Sequence, residues 1–279
     1  MTKRYDIIWL ESVDSTNSEA KRRLSDIDNL SVLSSLSQSE GRGQKGNKWS
    51  SIPGENLTFS IVLKFDKPAT DNSGAFQILA KDQFVLTEIT SLSIVEFLSR
   101  HGIKAQIKWP NDIYVADKKI CGILIENSLR GEHLSSSIIG IGLNVNQRNF
   151  DVNLPNPTSM ALERGLQEDI KECLEEFMDI FQNILFAALS SDHNLRESYL
   201  SHLWRRNIPA QYIDLSNQHI ELSNQHIDLS AHTSPEGQHP GREFTGIIRS
   251  LSPIGHLQIE DTEKGELKEF AFKEISYIL

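Results

Sequence analysis

KAQIKWPNDIYVADKKICGILIENSLRGEHLSSSIIGIGLNV, residues 104–145, is the stretch that decides the fold. Lys104 to Trp109 reads as a strand, and a Pro110-Asn-Asp112 turn leads to a second at Ile113 to Val115. The Ala116-Asp117 turn opens a third strand, Lys118 to Glu126, and Ser136 to Val145 is a fourth. Links this short join neighbours in an antiparallel sheet, because a parallel pair needs a long crossover.

The flanks extend this reading. Ile7 to Val13 is an opening strand, and Thr16-Asn-Ser-Glu19 has capping-box spacing, which starts a short helix through Arg22 to Leu24. Ser31 to Leu36 and Asn56 to Phe65 are further strands. Phe76 to Arg100 carries Ile78, Phe84, Val85, Ile89, Leu92, Val95 and Leu98 at helical spacing, with Gly102 placed as a C-cap. Ile170 to Ala188 is an amphipathic helix and Asn194 to Arg206 a shorter one. Strands followed by helices, rather than strict alternation, predict an α+β domain over residues 1–206. From Asn207 short strands take over at Ala210 to Leu215, Glu243 to Ser250, His256 to Glu260 and Glu266 to Phe272. With Gly246 and Gly255 at bends, they predict a small β-barrel over residues 207–279.

A tandem repeat interrupts this second part at 213–240: Ile213-Asp-Leu-Ser-Asn-Gln-His219, then Ile220-Glu-Leu-Ser-Asn-Gln-His226, fading at Ile227. Two copies are too few for a coiled coil. Sequence duplication accounts for His219 and His226, and with His232 and His239 they fall in a polar loop or extended hairpin without invoking a metal.

The chain has 279 residues, 38% hydrophobic and 24% charged, a balance suited to a soluble globular protein of one large and one small domain. No apolar run approaches a membrane span and no signal-peptide core follows Met1, so a cytoplasmic location is expected. The net charge of −10 argues against general nucleic-acid binding while allowing a local basic pocket for an anion. Cys121 and Cys173 have neither zinc nor disulfide spacing and read as small core residues.

Gly41-x-Gly43-x-x-Gly46 matches the dinucleotide fingerprint in letters only, since the turn-rich Asn47-Lys-Trp-Ser-Ser-Ile-Pro53 follows where a helix should open. What remains is a glycine loop with cations at Arg42, Lys45 and Lys48, whose backbone N–H groups can face an anion. Lys108-Trp-Pro-Asn-Asp112 brings a lysine and a carboxylate to one sheet edge, with Lys118 and Lys119 close by. The two glycines of Ile139-Gly-Ile-Gly-Leu-Asn-Val-Asn146 weaken a strand, which points to close approach of a ligand or another backbone.

Together, Asp14-Ser-Thr-Asn17, Gln38 with Gly41-Arg-Gly43, Lys108 to Asp112, Lys119-Ile-Cys-Gly122-Ile-Leu and Gly140-Ile-Gly142-Leu-Asn144 resemble the hallmarks of the biotin–protein ligase family, in order and at familiar spacings. Thr158-Ser-Met-Ala-Leu-Glu fits as well. The resemblance covers most of residues 7–206, with a weaker echo from Phe244 to Leu279. It implies a class II aminoacyl-tRNA-synthetase-like α+β catalytic domain with a mixed, largely antiparallel sheet, followed by a small SH3-like β-barrel.

By that resemblance the chain joins biotin to AMP from ATP, then passes biotin to one lysine of a biotin carboxyl carrier protein or domain, of acetyl-CoA carboxylase or another biotin-dependent carboxylase. The implied catalytic residues are Lys119, Arg42, Asp112 and Lys108. The cations would offset two anions brought together, as preorganised charges do. Magnesium would bridge the phosphates, with Asp112 as its candidate ligand, or Asp112 would orient or deprotonate the incoming lysine. Ser15, Thr16, Gln38, Gly41, Arg42, Gly122 and Gly140 are the implied biotin residues. Trp49, Asn144, Lys119, Gln44 and Asn111 are the implied adenylate residues. The glycine loop would fold over the adenylate and exclude water.

Two departures stand out. Many family members have arginine where this chain has Gln44, so Lys45 or Lys48 is expected to supply the missing charge. Roughly six residues precede the first strand, which leaves no room for the helix-turn-helix of DNA-binding relatives. No nucleic-acid or membrane partner is expected, and the assembly is a monomer or homodimer. A lipoate–protein ligase is the runner-up, and a non-catalytic biotin- or nucleotide-binding regulator is the reading from another class.

Overall fold

In the computed structural model, residues 5–65, 77–190, 194–216 and 241–278 are described. The chain divides into two units, residues 1–204 and 205–279. The first holds strands β1 (Ile7–Leu10), β2 (Val32–Ser35), β3 (Leu57–Lys64), β4 (Gln106–Lys108), β5 (Asp112–Val115), β6 (Lys118–Arg130) and β7 (His133–Leu143). They form one sheet in the order β1-β2-β3-β7-β6-β5-β4. Only β1 and β2 run parallel. This is the mixed, largely antiparallel sheet that the family resemblance implies, and β4 to β7 are the antiparallel neighbours read from residues 104–145.

Its register gives the two faces different chemistry. Gly142 lies opposite Thr58 and Gly122, Gly140 opposite Ser60 and Leu124, and Asp112 opposite Gly122. Residues opposite each other in an antiparallel pair share a face, so one face is small and polar. The alternate residues, among them Phe59, Ile61, Ile113, Ile123, Ile139 and Ile141, are buried on the other face.

Helices α2 (Phe84–Arg100) and α4 (Ile170–Ser190) pack together on the apolar side. There the Phe177 ring meets Phe59 edge-on at 5.4 Å and Phe97 at 6.2 Å. Helix α1 (Thr16–Arg22) lies on the polar face, where Ala20 packs with Leu33, Val62 and Ile138. The short helices α3 (Met160–Arg164) and α5 (Leu195–Ser201) complete the unit.

One irregularity sets up the site. Between β5 and β6 the register slips, pairing Ile113 with Cys121 but Tyr114 with Lys119. The extra residue, Ile120, is a β-bulge, which re-aims the side chains around it. Strict alternation would put Lys119 and Gly122 on opposite faces; the bulge brings the Lys119 chain over Gly122, where an added Cβ would stand 3.3 Å from Lys119 Cε.

Four expectations need correcting. The capping box does not form: Ser15, not Thr16, is the N-cap, and the Glu19 carboxylate is taken by Arg22 and Arg23. Helix α2 begins at Phe84, not Phe76, because Ile78 and Leu79 pair with the start of β7 (Leu134 N donates to Ile78 O at 2.9 Å). Residues 66–76 lie outside the described residues. The helix expected at Asn194 to Arg206 ends at Ser201, after which Trp204 N donates to Ile107 O and pairs the chain to β4. Gly102 does close α2, at φ +73° with its N–H on Ser99 O.

The second unit is a five-stranded antiparallel sheet of β8 (Pro209–Asp214), β9 (Arg242–Leu251), β10 (Leu257–Asp261), β11 (Glu266–Phe270) and β12 (Ile275–Tyr277), in the order β11-β10-β9-β8-β12. Tyr212, Phe244 and Phe270 are buried within it. The fourth correction is β12, a three-residue strand absent from the sequence reading. Ile213 and Asp214 of the first repeat copy belong to β8, whereas residues 217–240, with all four repeat histidines, lie outside the described residues. Cys121 and Cys173 are free and buried, as expected. Burial disfavours the thiolate, holding the Cys173 thiol up at about 12 and Cys121 higher still.

Candidate functional site

Three glycines make the floor. A Cβ on Gly142 would stand 2.3 Å from Trp49 Cε2, one on Gly122 3.1 Å from Trp49 Cζ3, and one on Gly140 2.3 Å from Asn17 Oδ1. The missing side chains let an indole and an amide lie directly on strand backbone.

Trp49 arrives there on a tight hairpin. Its N–H donates to Gly41 O at 2.9 Å, Gly43 N–H donates to Asn47 O at 2.7 Å, and Gln44–Gly46 form a 3-10 turn at the tip with Gly46 at φ +86°. A Cβ on Gly41 would stand 2.2 Å from the Trp49 carbonyl oxygen, so the hairpin closes only on glycine. Trp49 Nε1 and Gln44 Oε1 are both buried without a partner among the described residues. Each such atom costs about 1–3 kcal/mol while it has no partner.

At the α1 end a chain of polar contacts crosses the floor. Gln38 Oε1 accepts the Thr16 N–H at 2.8 Å. The Ser60 hydroxyl lies 2.8 Å from Thr16 Oγ1 and 2.6 Å from Asn17 Oδ1. Asn17 Nδ2 donates to Glu126 Oε2 at 2.8 Å, and Arg42 forks onto the same carboxylate at 3.0 and 3.2 Å. Ser15, Thr16, Asn17 and Ser60 are all buried.

Beside Trp49 stands a charged pair. Lys119 Nζ lies 2.7 Å from Asp112 Oδ1 and 5.8 Å from the Trp49 ring centre. The backbone around Lys119 is fixed by its N–H on Asn156 O and by Thr158 N–H on its carbonyl. Asn144, buried at the end of β7, ties that segment down by donating Nδ2 to Thr158 O at 2.9 Å. Asn111 holds the 109–112 turn, exchanging bonds with the Ile123 backbone through its Nδ2 and its carbonyl.

The fold therefore brings together most of the residues singled out in the sequence. Ser15, Thr16, Gln38, Arg42 and Gly140 meet at the α1 end, and Asp112, Lys119, Gly122 and Trp49 meet beside them. Lys108 lies opposite Asp112 across β4 and β5, with its ammonium donating to Tyr114 Oη at 2.9 Å and lying 5.5 Å from the Trp204 ring. Arg42 faces Glu126, and Lys48 is exposed on the hairpin.

The sequence reading gave no role to Thr58, Ser60 or Glu126; it quoted Asn17 only as part of a motif, and read Gly142 with Gly140 as a point of close approach. Thr58 and Ser60 did carry a signal, as two small polar residues at period two inside an apolar strand. Among the described residues no three His, Cys, Asp or Glu side chains gather as a metal cage, and the Asp112 carboxylate is engaged by Lys119. A magnesium ion that binds with a nucleotide takes only one or two protein carboxylates, and Asp112 is the candidate for that contact.

Residues 9–144 match the model of the biotin/lipoate A/B protein ligase family. Among curated proteins, the chain is 28% identical over 162 residues to the bifunctional ligase/repressor BirA of Escherichia coli, covering 57% of this chain and 47% of that protein. It is 29% identical over 178 residues to the biotin–[acetyl-CoA-carboxylase] ligase of Paracoccus denitrificans, covering 61% and 68%. The match thus spans about half the length of the Escherichia coli protein. Among solved structures, the Aquifex aeolicus biotin protein ligase in complex with biotin and ATP superposes with a TM-score of 0.67 at 27% identity, covering 97% of each chain.

Proposed function

Residues 9–144 belong to the biotin/lipoate A/B protein ligase family, and from that premise we propose that this protein is an ATP-dependent ligase that activates biotin as biotinyl-5'-AMP and transfers it to a lysine of a biotin carboxyl carrier protein. The observation that carries the proposal is the Lys119–Asp112 pair beside Trp49, set on a glycine floor next to a buried polar chain.

In the first step a biotin carboxylate oxygen bonds to the α-phosphorus, the bond to the β-phosphate oxygen breaks, and pyrophosphate leaves. Two anions must meet, and the Lys119 ammonium, fixed by its paired backbone, offsets their repulsion and the charge of the transition state. The Trp49 face receives adenine, and its unpaired Nε1 is available to donate. In the second step the carrier amine bonds to the acyl carbon and AMP leaves. The Asp112 carboxylate is placed to orient that amine or take its proton. Magnesium bound with the nucleotide would lower the repulsion among its phosphates, and Asp112 is the residue that would hold it.

Biotin is favoured over lipoate by the polar chain. A ureido ring presents two N–H donors and a carbonyl acceptor, which need partners once buried, and Thr16, Asn17, Gln38 and Ser60 supply both kinds. A dithiolane would leave them unused. The five-stranded unit is read as an SH3-like barrel appended to the catalytic unit, and the partner as a carrier domain of a biotin-dependent carboxylase. Among the described residues no helix is long and apolar enough to cross a membrane.

Incubation with ATP, labelled biotin and an isolated biotin carboxyl carrier domain is expected to place biotin on one lysine, identified by peptide mass spectrometry. A lipoyl domain with lipoate is expected to remain unmodified. Labelling of the lipoyl domain alone would move the assignment to a lipoate ligase. Binding of both small molecules without labelling of either domain would leave the regulator reading.

A further inference from the structure

We infer that Glu126 is a positioning residue, holding the Arg42 guanidinium over the site and with it the hairpin 41–49. The inference rests on the biotin-activation reading above and adds a residue to its machinery. Arg42 spends two of its five N–H donors on Glu126, through Nη1 at 3.2 Å and Nη2 at 3.0 Å. A fork of this kind fixes the plane of the guanidinium as well as its place, and it leaves the remaining donors to face an anion.

The carboxylate is itself held. Its Oε2 accepts Asn17 Nδ2 at 2.8 Å, and Asn17 is buried, seated on Gly140 and bonded to Ser60. Glu126 thus connects the buried polar chain to the loop that carries Trp49. As a stabilising ion pair it counts for little, since Arg42 is 44% and Glu126 31% exposed and solvent screens the attraction. Its consequence is geometric. The hairpin is closed by its own backbone bonds at Gly41–Trp49 and Gly43–Asn47, and these do not determine where the Arg42 side chain points. A small misplacement of a group that binds the reacting anions lowers rate far more than it lowers stability.

The test is Glu126→Gln, which keeps the shape and removes the charge, measured in wild-type and Arg42→Ala backgrounds. In biotin-dependent ATP–pyrophosphate exchange, Glu126→Gln is expected to lower the efficiency for biotin about tenfold at an unchanged melting temperature. In the Arg42→Ala background the same change is expected to cost less than about twofold, because the two residues act as a unit. An equal loss in both backgrounds would overturn the inference, as would no loss or a gain in the wild-type background; a gain would mean that Glu126 competes with the anionic substrate.

Should the wild-type protein show no biotin-dependent exchange, the functional reading fails and the ligand-free protein still decides the contact. Trypsin cleavage after Arg42 should be faster in Glu126→Gln if the carboxylate holds the side chain. An unchanged cleavage rate would overturn the inference on its own.

Discussion

Replacing Lys119 with alanine is expected to slow biotin-dependent ATP–pyrophosphate exchange by about 100- to 1,000-fold, with little change in the melting temperature. The magnitude follows from what the ammonium does. Removing one preorganised group that meets charge as it develops costs about 2.7–4 kcal/mol of transition-state stabilisation, because nothing else in the site is already oriented to replace it. The Asp112–Lys119 pair is partly exposed, with 21% and 33% of the two side chains accessible, so the loss should fall on the reaction and not on the fold. Thermal denaturation beside the exchange assay separates the two. Lys108→Ala should be much milder, since that ammonium is committed to Tyr114 and Trp204. An equal loss for the two variants would show that the Lys108 ammonium serves the reaction as much as that of Lys119.

Phe177→Ala is expected to destabilise the first unit by about 3–5 kcal/mol, the cost of removing a fully buried aromatic ring and leaving a cavity. Phe177 is 1% exposed and its ring meets Phe59 of β3, Phe97 of α2 and Phe181 of its own helix. It thus joins the helical layer to the sheet on the face away from the site. Below its lowered unfolding transition, the variant should bind biotin with unchanged affinity, because Thr58 and Ser60 point to the opposite face from Phe59. Urea denaturation followed by biotin titration checks both halves. A loss of biotin affinity in a folded variant would show that the two faces are coupled.

These expectations depend on some features that are legible in the sequence and others that are not. The sheet was legible, because short turns between apolar segments leave few alternatives to antiparallel neighbours. So was the set of motif residues, which the register of β3, β5, β6 and β7 gathers on one face. The face on which Lys119 sits was not, because it depends on a bulge, and counting residues by twos gives the wrong parity across one. The role of Glu126 was equally hidden. Its partners, Arg42 and Asn17, are 84 and 109 positions away, and a carboxylate two residues beyond Leu124 reads as an ordinary strand end. Local spacing misled at two helix starts, where backbone pairing of Ile78 and Leu79 with β7 overrode helical periodicity, and where Arg22 and Arg23 took the glutamate that a capping box needs.

The most direct measurement is the exchange of labelled pyrophosphate into ATP by the purified protein, with biotin, with lipoate, and with neither. Biotin activation predicts exchange that requires biotin and is not supported by lipoate. Exchange driven by lipoate alone, or no exchange with either acid, would contradict it.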